Sequence, residues 1–176
     1  MTVDVKTSAS SQPVGLWTRA LVYMLLFGIG WFVVLPAGLL RIEGNGYALR
    51  TAPWIVAGVI LSVAGCAVSI WAGFYLITRG GGTPFPLDPT RQLVASGPYR
   101  YVRNPQAVGT MLIVLGETAV VRSTLLLLLI PLSIAYLEGL AAPFENRELR
   151  LRYGAEYLRY RARVPKWVPR RISAES

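Results

Sequence analysis

The sequence predicts an all-α fold, an integral membrane bundle of about four transmembrane helices with a C-terminal cytoplasmic helix at the interface. Three observations lead there. The 176 residues are 53% hydrophobic and only 15% charged, where an average soluble domain carries roughly 25% charged residues. Residues 20–40 and 51–78 contain no charged side chain, and each covers the ~20 apolar residues needed to cross a hydrocarbon core. Apart from Arg41, Arg50 and Arg122, every Lys and Arg lies in 1–19, 79–103 or after residue 144.

The elements follow in order. Residues 1–16, with Ser and Thr prominent, read as a disordered N-terminal tail. The first span covers about 17–40. Its apolar run exceeds the 7–15 residues of a signal core and no small-x-small pattern closes it, so it reads as a retained helix. The second span, about 52–78, holds the lone Cys66. That thiol has no intrachain disulfide partner, and a buried apolar setting disfavours a thiolate. A loop over 79–103 precedes the third span, about 104–121, which Glu117 interrupts. The fourth span, about 123–144, opens on a leucine-rich run and carries Glu138. Spans three and four are joined only by Arg122 and its neighbours, which predicts an antiparallel hairpin. Glu117 reads as snorkelling or paired near the outer interface, and Glu138 as the floor of an inward-facing cavity. A last helix, 145–165, completes the chain.

Four spans put the N-terminal tail, the 79–103 loop and the C-terminal tail on one side. That side holds the basic excess, so the positive-inside rule places both termini and the loop in the cytoplasm. The net charge of +9 lies beside membrane spans. Anionic headgroups therefore explain it better than nucleic acid.

Two polar blocks stand out. The first is Gly97-Pro98-Tyr99-Arg100-Tyr101-Val102-Arg103-Asn104-Pro105. Pro105 biases Asn104 away from helical geometry and suits the first turn of a following helix, whose free N–H groups would favour a carboxylate or phosphate. Interface anchoring by the basic and tyrosine residues is the other reading of the same stretch. The second block begins at Glu145-Asn146-Arg147-Glu148. There Leu149, Tyr153, Tyr157 and Tyr160 recur at helical spacing on one face, with Arg152, Glu156, Arg159 and Arg163 on another. This amphipathic helix is interrupted by Gly154 and closes near Pro165, and headgroup binding accounts for Arg159, Arg161 and Arg163. Glu145 differs, because a carboxylate at the end of a span is costly unless paired or functional. The chain has no histidine, so the usual general base, the usual metal ligand and any Ser-His-Asp triad are missing, and no metal site is expected. Gly80-Gly81-Gly82 is a hinge rather than a phosphate cradle.

Taken together, the blocks resemble the isoprenylcysteine carboxyl methyltransferase family, which is related to membrane phospholipid N-methyltransferases. The likeness lies in the run from Leu93 to Pro105, then Glu145, then Tyr153-Gly154-Ala155-Glu156-Tyr157 and Arg163-Val164-Pro165. It implies a methyltransferase-like domain over 17–176 that uses S-adenosylmethionine. The implied methyl acceptor is lipid-soluble: a carboxylate, amine, thiol or hydroxyl. By motif position, Arg91, Gln92, Leu93, Val94, Tyr99, Asn104, Pro105, Gln106, Ala107 and Glu145 would contact the cofactor. Glu145, Arg147 and Arg103 would serve catalysis, Arg147 beside the acceptor. This chain departs from the family where Asn104 replaces a frequent His, Ala107 a frequent Tyr, and Asn146 the second of two acidic residues. The competing expectation is a non-catalytic membrane protein whose basic segments bind anionic headgroups or a partner subunit.

Overall fold

The computed structural model describes residues 13–44, 49–83, 88–121 and 123–168. Most of the expected tail lies outside these, and residues 13–16 are already helical. Helix α1 (Pro13–Ile29), a π-helical turn at Gly30–Val34 and α2 (Leu35–Glu43) form one continuous rod. From Gly15 to Glu43 it has 29 residues, about 43 Å at 1.5 Å per residue. Helix α3 (Ala52–Gly80) has the same length, entered from an extended Thr51 with a proline in its first turn. Helix α4 (Pro105–Val120) has 16 residues, about 24 Å. Helix α5 (Thr124–Tyr136) continues through a π-helical turn at Leu137–Ala141 into α6 (Ala142–Arg163).

Four helices thus pass between the two ends of the bundle. Three are long and apolar enough to cross a membrane, while α4 is shorter. It crosses by lying antiparallel along α3. At one end Arg50 N donates to Val120 O at 3.0 Å and Leu49 bridges Val121. Leu21, Leu25, Leu26, Val56, Ile60, Ile70, Leu128 and Leu132 are each more than half exposed. Apolar surface on that scale marks an interaction or membrane face, and here it is the face of a helical membrane protein turned to lipid.

Small residues hold α3 against α4. A Cβ at Gly58 would come within 2.5 Å of Gly116 O, and one at Gly65 within 2.6 Å of Gly109 O. The helix backbones therefore touch directly, with Ser62 and Ser69 in the same seam. In lipid, where burial gives little drive between helices, such close approach supplies the packing energy. The spacing of Gly58, Ser62, Gly65 and Ser69 alternates four and three, the 3.5-residue period of a left-handed crossing. Because Gly65 takes the inward position, its neighbour Cys66 is exposed rather than buried as expected.

The hairpin between α4 and α5 closes only at its turn. Ser123 Oγ accepts from Leu126 N at 3.1 Å and Glu43 Oε1 from Leu125 N at 2.8 Å, so two side chains cap α5 and fix α2 to it. Arg122 lies outside the described residues. Further along, α5 parts from α4 and leaves an apolar groove of about 360 Å³ lined by Val108, Met111, Leu112, Leu115, Ile134 and Trp167.

No break separates the fourth span from the last helix, since Glu145 to Tyr153 continue the same rod. The break falls at Gly154, whose φ of 53° and ψ of −128° are not helical. Beyond it the chain reverses. Tyr157 hydroxyl donates to Asn146 Oδ1, although eleven residues of straight helix would part these positions by about 16 Å. The single face expected for Leu149, Tyr153, Tyr157 and Tyr160 is therefore split. Gly154 resets the helical phase between the second and third of them.

Candidate active site

Helix α3 outruns α4 at the end where this reversal lies. With Gly65 opposite Gly109, Pro105 stands level with about Ser69, and α3 runs on roughly 16 Å to Gly80. The 88–104 segment fills that step. Gly80 O, left open at the helix end, accepts Arg91 N at 2.7 Å and Gln92 N at 3.3 Å. The Arg91 and Gln92 backbones are thus fastened to α3, while both side chains are exposed. Val94 and Tyr99 are 7% and 8% exposed and pack with Ala72 against Tyr75 and Leu76. Val94 is therefore a core residue holding the loop, and Leu93 beside it is half-buried. A 3-10 turn at Gly97–Arg100 leads into α4.

Asn104 caps that helix. Its Oδ1 accepts Ala107 N at 3.1 Å, the side-chain satisfaction of a first-turn donor that Asn favours. The freely available N–H groups expected there are mostly spoken for. Pro105 has none, Ala107 N is taken by the cap, and Val108 N donates to Asn104 O at 3.2 Å. Two polar atoms nearby are buried with no hydrogen-bond partner among the described residues, Arg103 Nε and Gln106 Oε1. An unpaired buried donor or acceptor is unfavourable unless a ligand completes it.

The reversed C-terminal segment closes over this corner. Tyr153 hydroxyl, before the break, donates to Thr90 O at 2.7 Å, and Arg152 Nη1 reaches the same carbonyl at 3.2 Å. Arg152 also pairs with Glu148 at 2.8 Å. After the break, Tyr160 hydroxyl donates to Tyr99 O at 2.7 Å, and Arg103 N donates to Pro165 O at 2.9 Å. Lys166 Nζ lies 2.8 Å from Glu138 Oε1, which also accepts from Trp167 Nε1. Glu138 is therefore the anchor of the C-terminal segment. At the front of the bundle end, Arg19 pairs with Asp88 at 3.1 Å. The start of α1, the loop and the C-terminal segment thus share one side.

Glu145 belongs to this cluster. It lies one residue past the apolar run of the fourth span, exposed on its helix. Crowding by the surrounding chain still deprives its charged form of hydration, which raises its pKa. Lys166 and Arg103 pull the value down, and Glu148 and Glu138 push it up. The Tyr99 phenol is held above its ordinary value by burial first, then by Tyr160 and Glu145. Tyr160 and Glu145 thus act on Tyr99, and Arg103 and Lys166 on Glu145, which puts these side chains in one electrostatic neighbourhood. Arg147 stands two positions from Glu145, on another face of the helix. Ala107 and Gln106 are half-buried along the start of α4.

The family model for phospholipid methyltransferase matches residues 53–156. The chain belongs to the phospholipid methyltransferase family. The match runs from the first turn of α3 through the loop, α4 and α5 to just past Gly154, so it contains the Tyr99, Arg103, Asn104 and Glu145 region. The first helix, Tyr157, Tyr160 and Lys166 lie outside it. No curated protein and no solved structure matches the chain. Methyl transfer at a membrane is thus the chemistry that this phospholipid methyltransferase family member carries.

Sequence reading missed Lys166 and Trp167. They become part of the site only because Gly154 turns the chain back, and the one local signal was that glycine inside an otherwise helical run.

Proposed function

We propose that this protein transfers a methyl group from S-adenosylmethionine to a lipid-soluble acceptor, in a site between the start of α4 and the reversed C-terminal segment. The observation that carries the reading is the gathering of Tyr99, Arg103 and Glu145 beneath that segment, beside the unpartnered Arg103 Nε and Gln106 Oε1. The donor set fits the cofactor. Arg103 suits its carboxylate, Gln106 Oε1 a donor on its amino group or base, and Glu145 with the Tyr99 ring its positive charge. When bound, the cofactor supplies an electrophilic methyl group on a sulfonium.

The chain supplies position and exclusion of water. Capping by Asn104 and the Gly80–Arg91 fastening hold the two walls, and Tyr160 and Pro165 close the roof. Holding a nucleophile in line with the methyl group needs little acid–base help when the acceptor is a carboxylate. An amine or thiol must lose a proton, and Glu145, with its raised pKa, is placed to receive it. The acceptor is a carboxylate, amine, thiol or hydroxyl on a lipid-soluble molecule. The groove between α4 and α5 offers its apolar part a way in from the bilayer. Residues 17–176 act as one unit in this reading. The basic excess supports a cytoplasmic position for the site, against anionic lipids.

Calorimetry with S-adenosylmethionine or its demethylated product in detergent tests the reading. Wild type should bind saturably, and Arg103→Ala, Tyr99→Ala and Glu145→Gln should each weaken binding about tenfold or more. Labelled cofactor added to membranes should then mark one lipid extract by mass. Absence of saturable binding in the folded protein sinks the proposal.

A further inference from the structure

A second chamber lies at the opposite end of the bundle. It has about 390 Å³, and its walls include Phe32, Pro36 and Ala37 of the first rod, Ser62 of α3, Glu117 of α4 and Leu126 of α5. Along α4, Glu117 stands twelve residues from Pro105, about 18 Å, so the chamber is separate from the methyl-transfer site and nothing in the argument depends on that site. Its lining is apolar but for Glu117 and Ser62. Glu117 Oε2 is buried with no hydrogen-bond partner among the described residues. The snorkelling or pairing expected of this residue is thus not what the described residues show, since the carboxyl faces an apolar hollow between helices.

The first rod is shaped for the hollow. Its π-helical turn at Gly30–Val34 supplies Phe32 and Val33 to the wall, and Pro36 follows within a turn. π-Turns inside α-helices recur at functional sites. An ionisable group within a membrane bundle is expensive to keep without a partner or a role. An apolar pocket of a few hundred Å³ with few convergent polar groups is the usual form of a small-molecule site.

We propose that this chamber binds an amphiphile, with its alkyl chain between the first rod and α3 and a hydrogen-bond-donating head on the Glu117 carboxyl. The head is an amine or a hydroxyl. Either can donate to the Glu117 carboxyl, and a protonated amine adds charge complementarity. Among the described residues no cationic side chain lines the hollow, which favours such a head over a phosphate.

Native mass spectrometry of the detergent-purified full chain, titrated with dodecylamine, dodecanol or dodecane, tests the idea. One saturable equivalent of amine or alcohol is expected. Glu117→Leu, which keeps the volume and removes the acceptor, should weaken it about 10- to 100-fold. Ala37→Phe, which fills the hollow from the first rod and leaves Glu117 intact, should do the same, and it decides the matter if Glu117→Leu does not fold. Loss of amine alone, alcohol alone, or both in the variants supports the site and names the head. Non-saturable uptake, equal binding of dodecane, or unchanged binding in the folded variants overturns it.

Discussion

Replacing Gly154 by alanine bears directly on the reversal that closes the site. At φ 53° and ψ −128° a Cβ is strained by about 1–3 kcal/mol. Space is not the obstacle, since a Cβ there would meet nothing within 4 Å. A straight helix through the same position would instead gain about 1 kcal/mol from the exchange of glycine for alanine. The two effects add to a bias of about 2–4 kcal/mol towards the straightened form, roughly a 30- to 800-fold fall in the closed-to-open ratio. Opposing it are the hydrogen bonds of Tyr157 to Asn146, Tyr160 to Tyr99 O and Arg103 N to Pro165 O. At about 0.5–1.5 kcal/mol net each, they are of the same size as the bias. The segment should therefore spend much of its time open, with Tyr160 carried about 9 Å along the axis from residue 154. Hydrogen exchange in detergent reads this directly, because the Arg103 amide is protected only by Pro165 and reports closure. Its protection should fall by the stated factor while α3 and α4 keep theirs. Unchanged protection at Arg103 would refute the reasoning and show that the reversal does not depend on backbone freedom at 154.

Two further outcomes follow from the packing and the charges. Gly65→Val places a Cβ 2.6 Å from Gly109 O, forcing α3 and α4 apart by about 0.8 Å against ordinary contact. Thermal melting should show a loss of about 1–3 kcal/mol or more, while Gly28→Val, which meets nothing within 4 Å, leaves the melt unchanged. Glu145 has a raised pKa in the folded protein, so the folded state binds its proton more tightly than the unfolded state does. Stability then falls as pH rises from the ordinary glutamate range through the raised value. Glu145→Gln should gain stability over wild type above that window and match it below. A wild-type pH profile parallel to that of the variant removes the desolvation argument.

Much of the bundle was legible in the sequence. Charge-free runs marked α1 to α3, and Pro105 after Asn104 marked the start of α4, because local chain stiffness sets that boundary. The family likeness pointed to Tyr99, Arg103 and Glu145, which fall at one end of the bundle. Three things were not legible. Helicity across 144 and 145 was hidden by the change from apolar to charged residues, which alters solvation but not backbone preference. The reversal at Gly154 depends on which partners Tyr157 and Tyr160 find, and those lie far away in sequence. The seam of Gly58, Ser62, Gly65 and Ser69 had its period in plain view, but only contact with Gly109 and Gly116 shows that it is a seam.

The brevity of α4 has a consequence for the surrounding lipid. At about 24 Å it falls short of a hydrocarbon layer of roughly 30 Å, while α3 beside it exceeds that thickness. Beyond what the 88–104 segment fills, hydrophobic mismatch at this one helix is relieved by thinning of the bilayer, snorkelling of flanking side chains or association. Chain length in reconstituted vesicles becomes a control on this protein, with short acyl chains matching α4 and long ones straining it.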